Sequence, residues 1–540
     1  MRFGLAASRQ SSVHFGVTNG TGWRVAPAAF ETLLVLQCKV MFSHLHSRAG
    51  LGTLGLERTE DAATMKQRAM RWMAVATAAI ATTAGAAPAP GADEAAFRKL
   101  YKELVEINTT LSVGSCTEAA EAMRAHLLAA GMPKADTRIL APAERPKDGA
   151  LIAVLHGSDP NAKALLLLAH IDVVEAKRAD WQRDPFTLVE EDGWFYARGS
   201  SDDKAMAAVF TDSVVRYLQN GFKPRRDIKL ALTCGEETPN VFNSVQWLIK
   251  HHPDALQAAF ALNEGAGGEL DANGKPVALQ IQAGEKVYQD FELVSDDSGG
   301  HSSRPKPHGN NPLVRVSNAM AKIGAFDFPL QLNETTRAYF KAEQELEPAP
   351  VAADMRAVLA NPPDEGAVQR LWALNPGWNG MMRTTCTPTE IEGGHAPNAL
   401  PQHVHANVNC RILPETSAAD VQKQLVQIVG DDKVTIKPVG ELDTAVVPPP
   451  PLSPAIMKPV RDVAQRIWPG VAIVPTMSTG ATDGRYLNAA GVPTYGLSGM
   501  FHDAEGSRAH GLNERIRVKS LLDGRRFLYE IVQIYANQAG

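Results

Sequence analysis

Short apolar runs, each followed at once by polar residues, are the main pattern in the central part of the chain. Three such runs cover Ala164–Ala169, Asp227–Cys234 and Gln257–Asn263. Their length suits a buried strand better than a helix, so they predict three strands of a parallel sheet. Residues Ala205–Asn220 are predicted to form a helix that stops at Gly221, a residue type common just after a helix end. This order predicts an α/β architecture.

A second set of elements follows residue 284. The predicted strands are Glu285–Val294, Val404–Ile412 and Val434–Val439, and the predicted helix Ala418–Val429 is stopped by Gly430. Val404–Ile412 alternates apolar and polar residues, as a strand with one buried face does. A total of 540 residues favours more than one domain.

The amino-terminal segment has the order of a secretory signal. Met65–Arg71 is basic, Trp72–Thr83 is apolar or small, and Ala84–Ala86 has the small residues of a cleavage site. We therefore expect residues 65–86 to be a signal peptide and the protein to be periplasmic or secreted. Residues 1–64 are interpreted as sequence upstream of a misplaced start codon, or else as a disordered extension. An anchoring helix is the alternative for 65–86, although its apolar part is short for a membrane span.

The composition argues against a nucleic-acid-binding protein and against a disulfide-rich scaffold. A net charge of −5 and a pI near 6.3 give no indication of nucleic-acid binding. Five cysteines are too few for a disulfide scaffold. Cys38 lies in the doubtful leader, and Cys386 and Cys410 lie on segments that could pair as a hairpin and form one bridge. Cys116 and Cys234 are expected to be buried free thiols.

Residues with metal-binding side chains follow each predicted central strand. His170 and Asp172 follow the first, Glu236 and Glu237 the second, and Glu264 the third. Carboxyl ends of parallel strands share one edge of a sheet, so these side chains can converge although they are distant in sequence. Imidazole nitrogen and carboxylate oxygen without thiolate suit catalytic zinc, with cobalt or manganese as alternatives.

Together with Asp202 before the predicted helix and His510 near the C-terminus, these motifs resemble a family of dizinc peptidases and deacylases. The family includes aminoacylase, glutamate carboxypeptidase, carboxypeptidase S, acetylornithine deacetylase and succinyl-diaminopimelate desuccinylase. The resemblance extends from about Ala95 to the C-terminus. It implies two Zn²⁺ ions, the first held by His170, Asp202 and Glu264, the second by Asp202, Glu237 and His510, with Asp202 bridging. His502 is a rival for the last ligand, but it lacks the family spacing.

The resemblance also implies the roles of further residues. Asp172 would orient His170, and Glu236 would be the general base that activates water and protonates the leaving amine. His301, within Ser298–Ser303, would donate to the oxyanion, from this subunit or from the partner of a homodimer. Asn398, Arg411 and Arg485 would bind a substrate carboxylate, which implies peptides or N-acyl amino acids with a free carboxylate.

The fold class implied by the resemblance is α/β, a zinc-peptidase catalytic domain with a mixed sheet flanked by helices and an inserted α+β lid or dimerisation domain. The catalytic domain would comprise residues 92–284 and 451–540, and the lid residues 285–450, with an insertion at about 326–380. The proline run Pro448–Pro451 would mark the return to the catalytic domain. The alternative function is a catalytically silent relative that uses this fold for binding or assembly.

Overall fold

A computed structural model of the chain describes residues 91–307, 309–443 and 445–538. The expected signal peptide at 65–86, the leader at 1–64 and Cys38 lie outside these residues.

The described α-helices begin with a pair that precedes the first strand. They are α1 (Ala92–Glu106), α2 (Cys116–Ala129), α3 (Lys204–Gln219), α4 (Ser244–His251), α5 (Pro253–Leu256), α6 (Pro312–Gly324), α7 (Glu334–Glu343), α8 (Ala349–Val358), α9 (Glu365–Leu374), α10 (Pro376–Met382), α11 (Ala418–Val429), α12 (Pro454–Ile467), α13 (Gly484–Ala489) and α14 (Val518–Asn537).

The described strands include five that run seven residues or more, and the others are shorter. They are β1 (Thr137–Leu140), β2 (Ala150–Leu155), β3 (Leu165–His170), β4 (Val189–Glu191), β5 (Trp194–Tyr196), β6 (Ile228–Thr233), β7 (Phe260–Asn263), β8 (Gly268–Leu270), β9 (Pro276–Glu285), β10 (Val287–Asp296), β11 (Gly300–His301), β12 (Thr385–Gly393), β13 (Ala399–Leu400), β14 (His403–Ile412), β15 (Thr435–Pro438), β16 (Ala472–Ser478), β17 (Thr494–Gly496), β18 (Phe501–His502) and β19 (Arg515–Arg517).

The largest sheet has ten strands in the order β1-β2-β6-β3-β7-β17-β9-β8-β18, with β16 paired to β9. Strands β6, β3, β7 and β17 are parallel, while β1, β2 and β9 pair antiparallel to their neighbours at β2, β6 and β17. The sheet is therefore mixed, with a parallel centre. The three apolar runs of the sequence are confirmed as β3, β6 and β7, although β7 begins only at Phe260.

Helices cover both faces of this sheet, which explains why β3 is apolar from Leu165 to Ala169. In β3, Leu165, Leu167 and Ala169 pack in one cluster with α1, α2, α3, α12 and α14. Leu166 and Leu168 pack on the opposite face with α4, α5 and α13. Every residue of β3 is buried, as expected for a strand covered on both sides.

A second sheet is antiparallel and has four strands in the order β12-β14-β10-β15. The apolar residues of β14 pack with α6 and α11, while Arg411 and the other polar residues point to the opposite face. Helix α11 starts where the Ser417 hydroxyl accepts the Asp420 N–H at 3.1 Å. It ends at Gly430, whose φ of 57° is left-handed and suits glycine.

The predicted insertion is largely helical. Helices α7 to α10 form an apolar cluster that includes Ala278 of β9 and Val474 and Met477 of β16. The expected strand Glu285–Val294 is wrong at its start, because Glu285 is the last residue of β9 and the new strand begins at Val287. The boundaries of the proposed domains stay a prediction.

Among the described residues, two disulfides join separate elements. Cys386 and Cys410 lie directly opposite each other on β12 and β14 and are bonded. The expectation that Cys116 and Cys234 are free thiols is wrong, because these residues also form a disulfide, between the first residue of α2 and the residue after β6. Their separation of 118 residues hides this pairing from local sequence patterns.

Across the described part of the chain, every helix is too short or too polar to be a candidate for a membrane span.

Candidate metal centre

The carboxyl ends of three neighbouring strands bring metal-binding side chains together. His170 ends β3, Glu236 and Glu237 lie in the turn after β6, and Glu264 directly follows β7. His170 Nε2 lies 3.6 Å from Glu264 Oε2. The convergence that the sequence predicted from parallel strand ends is therefore present.

Asp202 lies between His170 and His510, which are far apart in the sequence. Its Oδ1 is 3.2 Å from His170 Nε2, and its Oδ2 is 3.2 Å from His510 Nε2. His510 Nε2 is also 2.9 Å from Glu237 Oε2. Each oxygen of Asp202 thus faces a different imidazole, which is the arrangement that a carboxylate bridging two cations needs.

Glu236 occupies a position from which it could serve as base or as ligand. Atoms of His170, Glu236 and Glu264 lie within 4.8 Å of one another, as do those of His170, Asp202 and Glu237. Distance alone therefore does not separate Glu236 from the ligands. Cys116 and Cys234 also lie near Asp172, but their sulfurs are bonded to each other and are not available as thiolate ligands.

The charges of this cluster call for a cation. Burial and the charge of Glu264 raise the pKa of the Glu236 carboxyl well above its usual value. Burial opposes protonation of His170, but Glu264, Asp172 and Asp202 outweigh it and raise the pKa of that imidazole well above its usual value. Hydrogen bonds with Asp202 and Glu237 raise the pKa of His510 to about 10. The carboxylates favour positive charge at both histidines, and divalent cations on these nitrogen and oxygen donors would supply it.

Asp172 holds both His170 and the loop with the two glutamates. His170 Nδ1 lies 3.1 Å from the backbone oxygen of Asp172 and 3.6 Å from its Oδ1. The Asp172 carboxylate accepts the N–H groups of Glu236 at 3.3 Å and Glu237 at 3.1 Å. The predicted contact with His170 is present mainly through the backbone oxygen of Asp172. The hydrogen bonds between Asp172 and the loop of Glu236 and Glu237 were not predicted.

Sequence reasoning missed two other buried carboxylates around the cluster. Glu514 is fully buried and accepts the N–H of Asp202 at 3.0 Å. Asp483 accepts hydrogen bonds from Asn243 Nδ2 at 2.6 Å and from Thr233 Oγ1 at 3.2 Å, and its pKa is raised to about 7, chiefly by burial. In the sequence, only their positions near His510 and Arg485 pointed to these carboxylates, because their hydrogen-bond partners lie hundreds of residues away.

The two arginines that were predicted to bind a substrate carboxylate both contact Tyr288. The guanidinium of Arg411 lies 4.5 Å from the ring centre of Tyr288, its partner across β10 and β14. Arg485 Nη1 donates to the backbone oxygen of Tyr288 at 3.5 Å, and Arg485 Nη2 lies 3.5 Å from Asp443 Oδ2. Both cations are half-buried. The structure therefore brings Arg411 and Arg485 together.

His301 and Asn398 lie on a separate two-stranded ribbon. His301 on β11 pairs with Ala399 on β13, and the Ser302 N–H donates to the Asn398 oxygen at 3.0 Å. Both side chains are exposed. Among the described residues, neither forms a hydrogen bond or an ion pair with the proposed metal ligands. His502 lies on β18 at the far edge of the large sheet and is not part of the cluster.

A largely apolar cavity lies beside Arg485. Its volume is about 30 Å³, and Glu285, Val287, Pro414, Val447, Pro449 and Arg485 are among the residues that line it. It is bordered by β9, β10 and the proline run that the sequence placed between lid and catalytic domain. A cavity of this size has room for about one or two water molecules.

Comparisons with known proteins agree with this geometry. Residues 166–534 match the model of peptidase family M20/M25/M40. The human N-fatty-acyl-amino acid synthase/hydrolase PM20D1 is 29% identical over 393 residues, which cover 70% of this chain and 75% of that protein. Carboxypeptidase S from Saccharomyces cerevisiae is 25% identical over 436 residues, covering 72% and 74%. The structure of the M20 family metallo-carboxypeptidase Sso-CP2 from Sulfolobus solfataricus has a TM-score of 0.61 at 21% identity and covers 82% of this chain and 99% of that one. The predicted fold class is confirmed.

Proposed function

The chain belongs to peptidase family M20/M25/M40 and is a hydrolase of the metallopeptidase and amidohydrolase type, and we propose that it cleaves the amide bond of peptides or N-acyl amino acids with a free carboxylate. The observation that carries the proposal is the convergence of His170, Asp202 and Glu264 with Glu237 and His510.

These residues fit a pair of divalent cations. His170, Asp202 and Glu264 would hold one ion, and Asp202, Glu237 and His510 the other. Their donors are nitrogen and oxygen without thiolate, which suits Zn²⁺, with Co²⁺ or Mn²⁺ as alternatives. When bound, the ions would polarise the scissile carbonyl and lower the pKa of a water molecule.

Glu236 is proposed to move the proton. It would accept a proton from the attacking water and later give that proton to the nitrogen of the leaving amine. The Asp172 carboxylate supports this role, because it fixes the backbone of Glu236 and of the neighbouring Glu237 through two hydrogen bonds.

The lid is proposed to supply the oxyanion donor and the carboxylate clamp. His301 is exposed on its ribbon, so it could reach a substrate held by this subunit or by the partner of a homodimer. Arg411 and Arg485 would bind the substrate carboxylate, with Asn398 as an additional polar partner.

A substrate screen tests this proposal. Purified mature protein is assayed against dipeptides and N-acyl amino acids, after chelation and after addition of zinc. We expect metal-dependent release of the free amino acid, with long acyl chains included because human PM20D1 is an N-fatty-acyl-amino acid synthase/hydrolase. Metal-bound, folded protein without turnover on any of these substrates would favour the catalytically silent alternative instead.

Export to the periplasm or the medium is also proposed. The signal-like pattern at 65–86 and the two disulfides support it, since disulfides persist in oxidising compartments. The division into a catalytic domain at 92–284 and 451–540 and a lid at 285–450 remains part of the same proposal. Cleavage after Ala86 in exported protein is measured by sequencing its amino terminus.

A further inference from the structure

A buried carboxylate, Glu514, holds the loop that carries Asp202. It lies four residues after His510 and is 0% exposed. Its side chain accepts four hydrogen bonds, from the N–H groups of Gly199 at 3.1 Å, Ser201 at 2.8 Å and Asp202 at 3.0 Å, and from Arg198 Nη1 at 2.7 Å. Three of the four donors are backbone groups in the segment that ends at Asp202.

Arg198, the partner of Glu514, also contacts the segment that carries His510. Its Nη2 donates to the backbone oxygen of Gly511 at 3.0 Å, directly after His510. The guanidinium is 3% exposed and lies 5.1 Å from the ring centre of Trp181. The buried ion pair therefore contacts both chain segments whose side chains face each other as Asp202 and His510, although more than 300 residues separate these segments.

Backbone hydrogen bonds of this kind determine where the Asp202 side chain can point. Asp202 Oδ2 lies 3.2 Å from His510 Nε2, so a small shift of either loop would separate the two side chains. A glutamine amide at position 514 would place one N–H₂ group among three N–H donors and the guanidinium, and could not accept all four hydrogen bonds. The charge of the buried ion pair would be lost as well.

We propose that Glu514, paired with Arg198, is a positioning residue that sets metal affinity by fixing Asp202 relative to His510. The proposal rests on the proposed function, because it requires Asp202 and His510 to be metal ligands. Glu514 itself touches neither ion nor substrate. Its effect reaches the metal only through the backbone of the two ligand segments.

The chain offers a matched control for the general effect of losing a buried ion pair. Asp212 on α3 accepts Arg525 Nε at 2.7 Å and Arg525 Nη2 at 3.1 Å, and both residues are buried. This pair joins α3 to α14 and contacts none of the proposed ligands. Asp212→Asn should therefore lower stability without changing the metal site.

The experiment measures zinc affinity by competition with a chromogenic chelator, and metal content by mass spectrometry, for wild type, Glu514→Gln and Asp212→Asn. We expect Glu514→Gln to bind zinc about 10- to 100-fold more weakly, as is usual when a residue that supports a ligand is changed. Excess zinc should restore its hydrolytic activity. Asp212→Asn should melt at a lower temperature but keep the zinc affinity of wild type.

Several results would overturn the proposal. Wild-type zinc affinity in Glu514→Gln would do so, and so would an equal loss of affinity in Asp212→Asn, which would show a general effect of destabilisation. If Glu514→Gln does not fold, Arg198→Lys replaces it, since lysine keeps the charge but cannot reach Glu514 and Gly511 with separate nitrogens; unchanged zinc affinity there contradicts the proposal. Wild type that binds no zinc would refute the proposed function as well, in the same titration.

Discussion

Replacing Arg411 with alanine should remove the preference for substrates with a free carboxylate. Arg411 is half-buried, stacks on Tyr288 and donates through Nε to Asn409 Oδ1 at 3.3 Å. It has no carboxylate partner among the described residues, so its two terminal nitrogens remain suited to an anionic ligand. A hydrogen bond to a charged group contributes about 1.5–3 kcal/mol, which corresponds to about a 10- to 100-fold change in kcat/KM.

The assay compares an N-acyl amino acid with its C-terminal amide on wild type and on Arg411→Ala. Wild type should favour the carboxylate by the factor given above, while the variant should discriminate much less, because the partner of the charge is already gone. Arg315→Ala is the matched control, since Arg315 pairs with Asp431 elsewhere on the lid elements and should affect stability alone. Equal discrimination by wild type and Arg411→Ala would refute the clamp and leave Arg411 as a residue that only packs on Tyr288.

Three further changes test other parts of the structure. Glu236→Gln should keep its metal and lower kcat by about 10²–10⁴, measured by metal analysis and steady-state kinetics; near-normal turnover would contradict a general base. Replacing Cys116 and Cys234 with serine should lower the free energy of unfolding, measured in denaturant, by about 2–5 kcal/mol. The same change at Cys386 and Cys410 should cost less, because a disulfide restricts the unfolded chain more when more residues separate its cysteines, and the separations are 118 and 24 residues. A larger loss at Cys386 and Cys410 would contradict this reasoning. Burial, with the charges of Glu269 and Glu347, raises the pKa of Glu343 to about 7, so ionising it costs stability as pH rises from about 4.5 to 7. Glu343→Gln should therefore raise the melting temperature at pH 8 and change it little at pH 4, and an equal change at both values would refute the shift.

The central strands were predicted well from the sequence, because their pattern of apolar residues depends directly on which of their faces are buried. Leu165–Leu168 are apolar without alternation since helices cover both faces of β3, and the alternation of β14 follows from its single buried face. Helix ends were also readable, because Ser417 and Gly430 satisfy local backbone needs at either end of α11. These signals lie within a few residues of the element that they determine.

Long-range contacts could not be predicted in the same way. The Cys116–Cys234 disulfide depends on the approach of the first residue of α2 to the residue after β6, and nothing near either cysteine in the sequence records that approach. Glu514 lies only four residues after His510, but its partners Arg198 and Asp202 lie more than 300 residues earlier in the sequence. The strand predicted from Glu285 begins only at Val287, because Glu285 belongs to β9, a strand that the sequence analysis did not predict.

The resemblance named the ligands that the structure brings together, and it also named residues that the structure leaves apart. His170 at the end of β3 and Asp202 just before α3 converge with His510, which lies in a turn between β18 and β19. His301 on a short ribbon and Asn398 in the turn just before its second strand are both exposed, and among the described residues neither contacts these ligands by a hydrogen bond or an ion pair. Their roles stay predictions for this reason.

The most direct test of a dinuclear site bridged by Asp202 is the metal content of Asp202→Ala beside Asp172→Asn. Mass spectrometry of purified, folded protein should find two metal ions in wild type and none in Asp202→Ala, because that carboxylate faces both His170 and His510. Asp172→Asn should retain part of its metal, since it supports His170 and the loop of Glu237 without binding the ions itself. Two bound metal ions and full activity in Asp202→Ala would contradict the account.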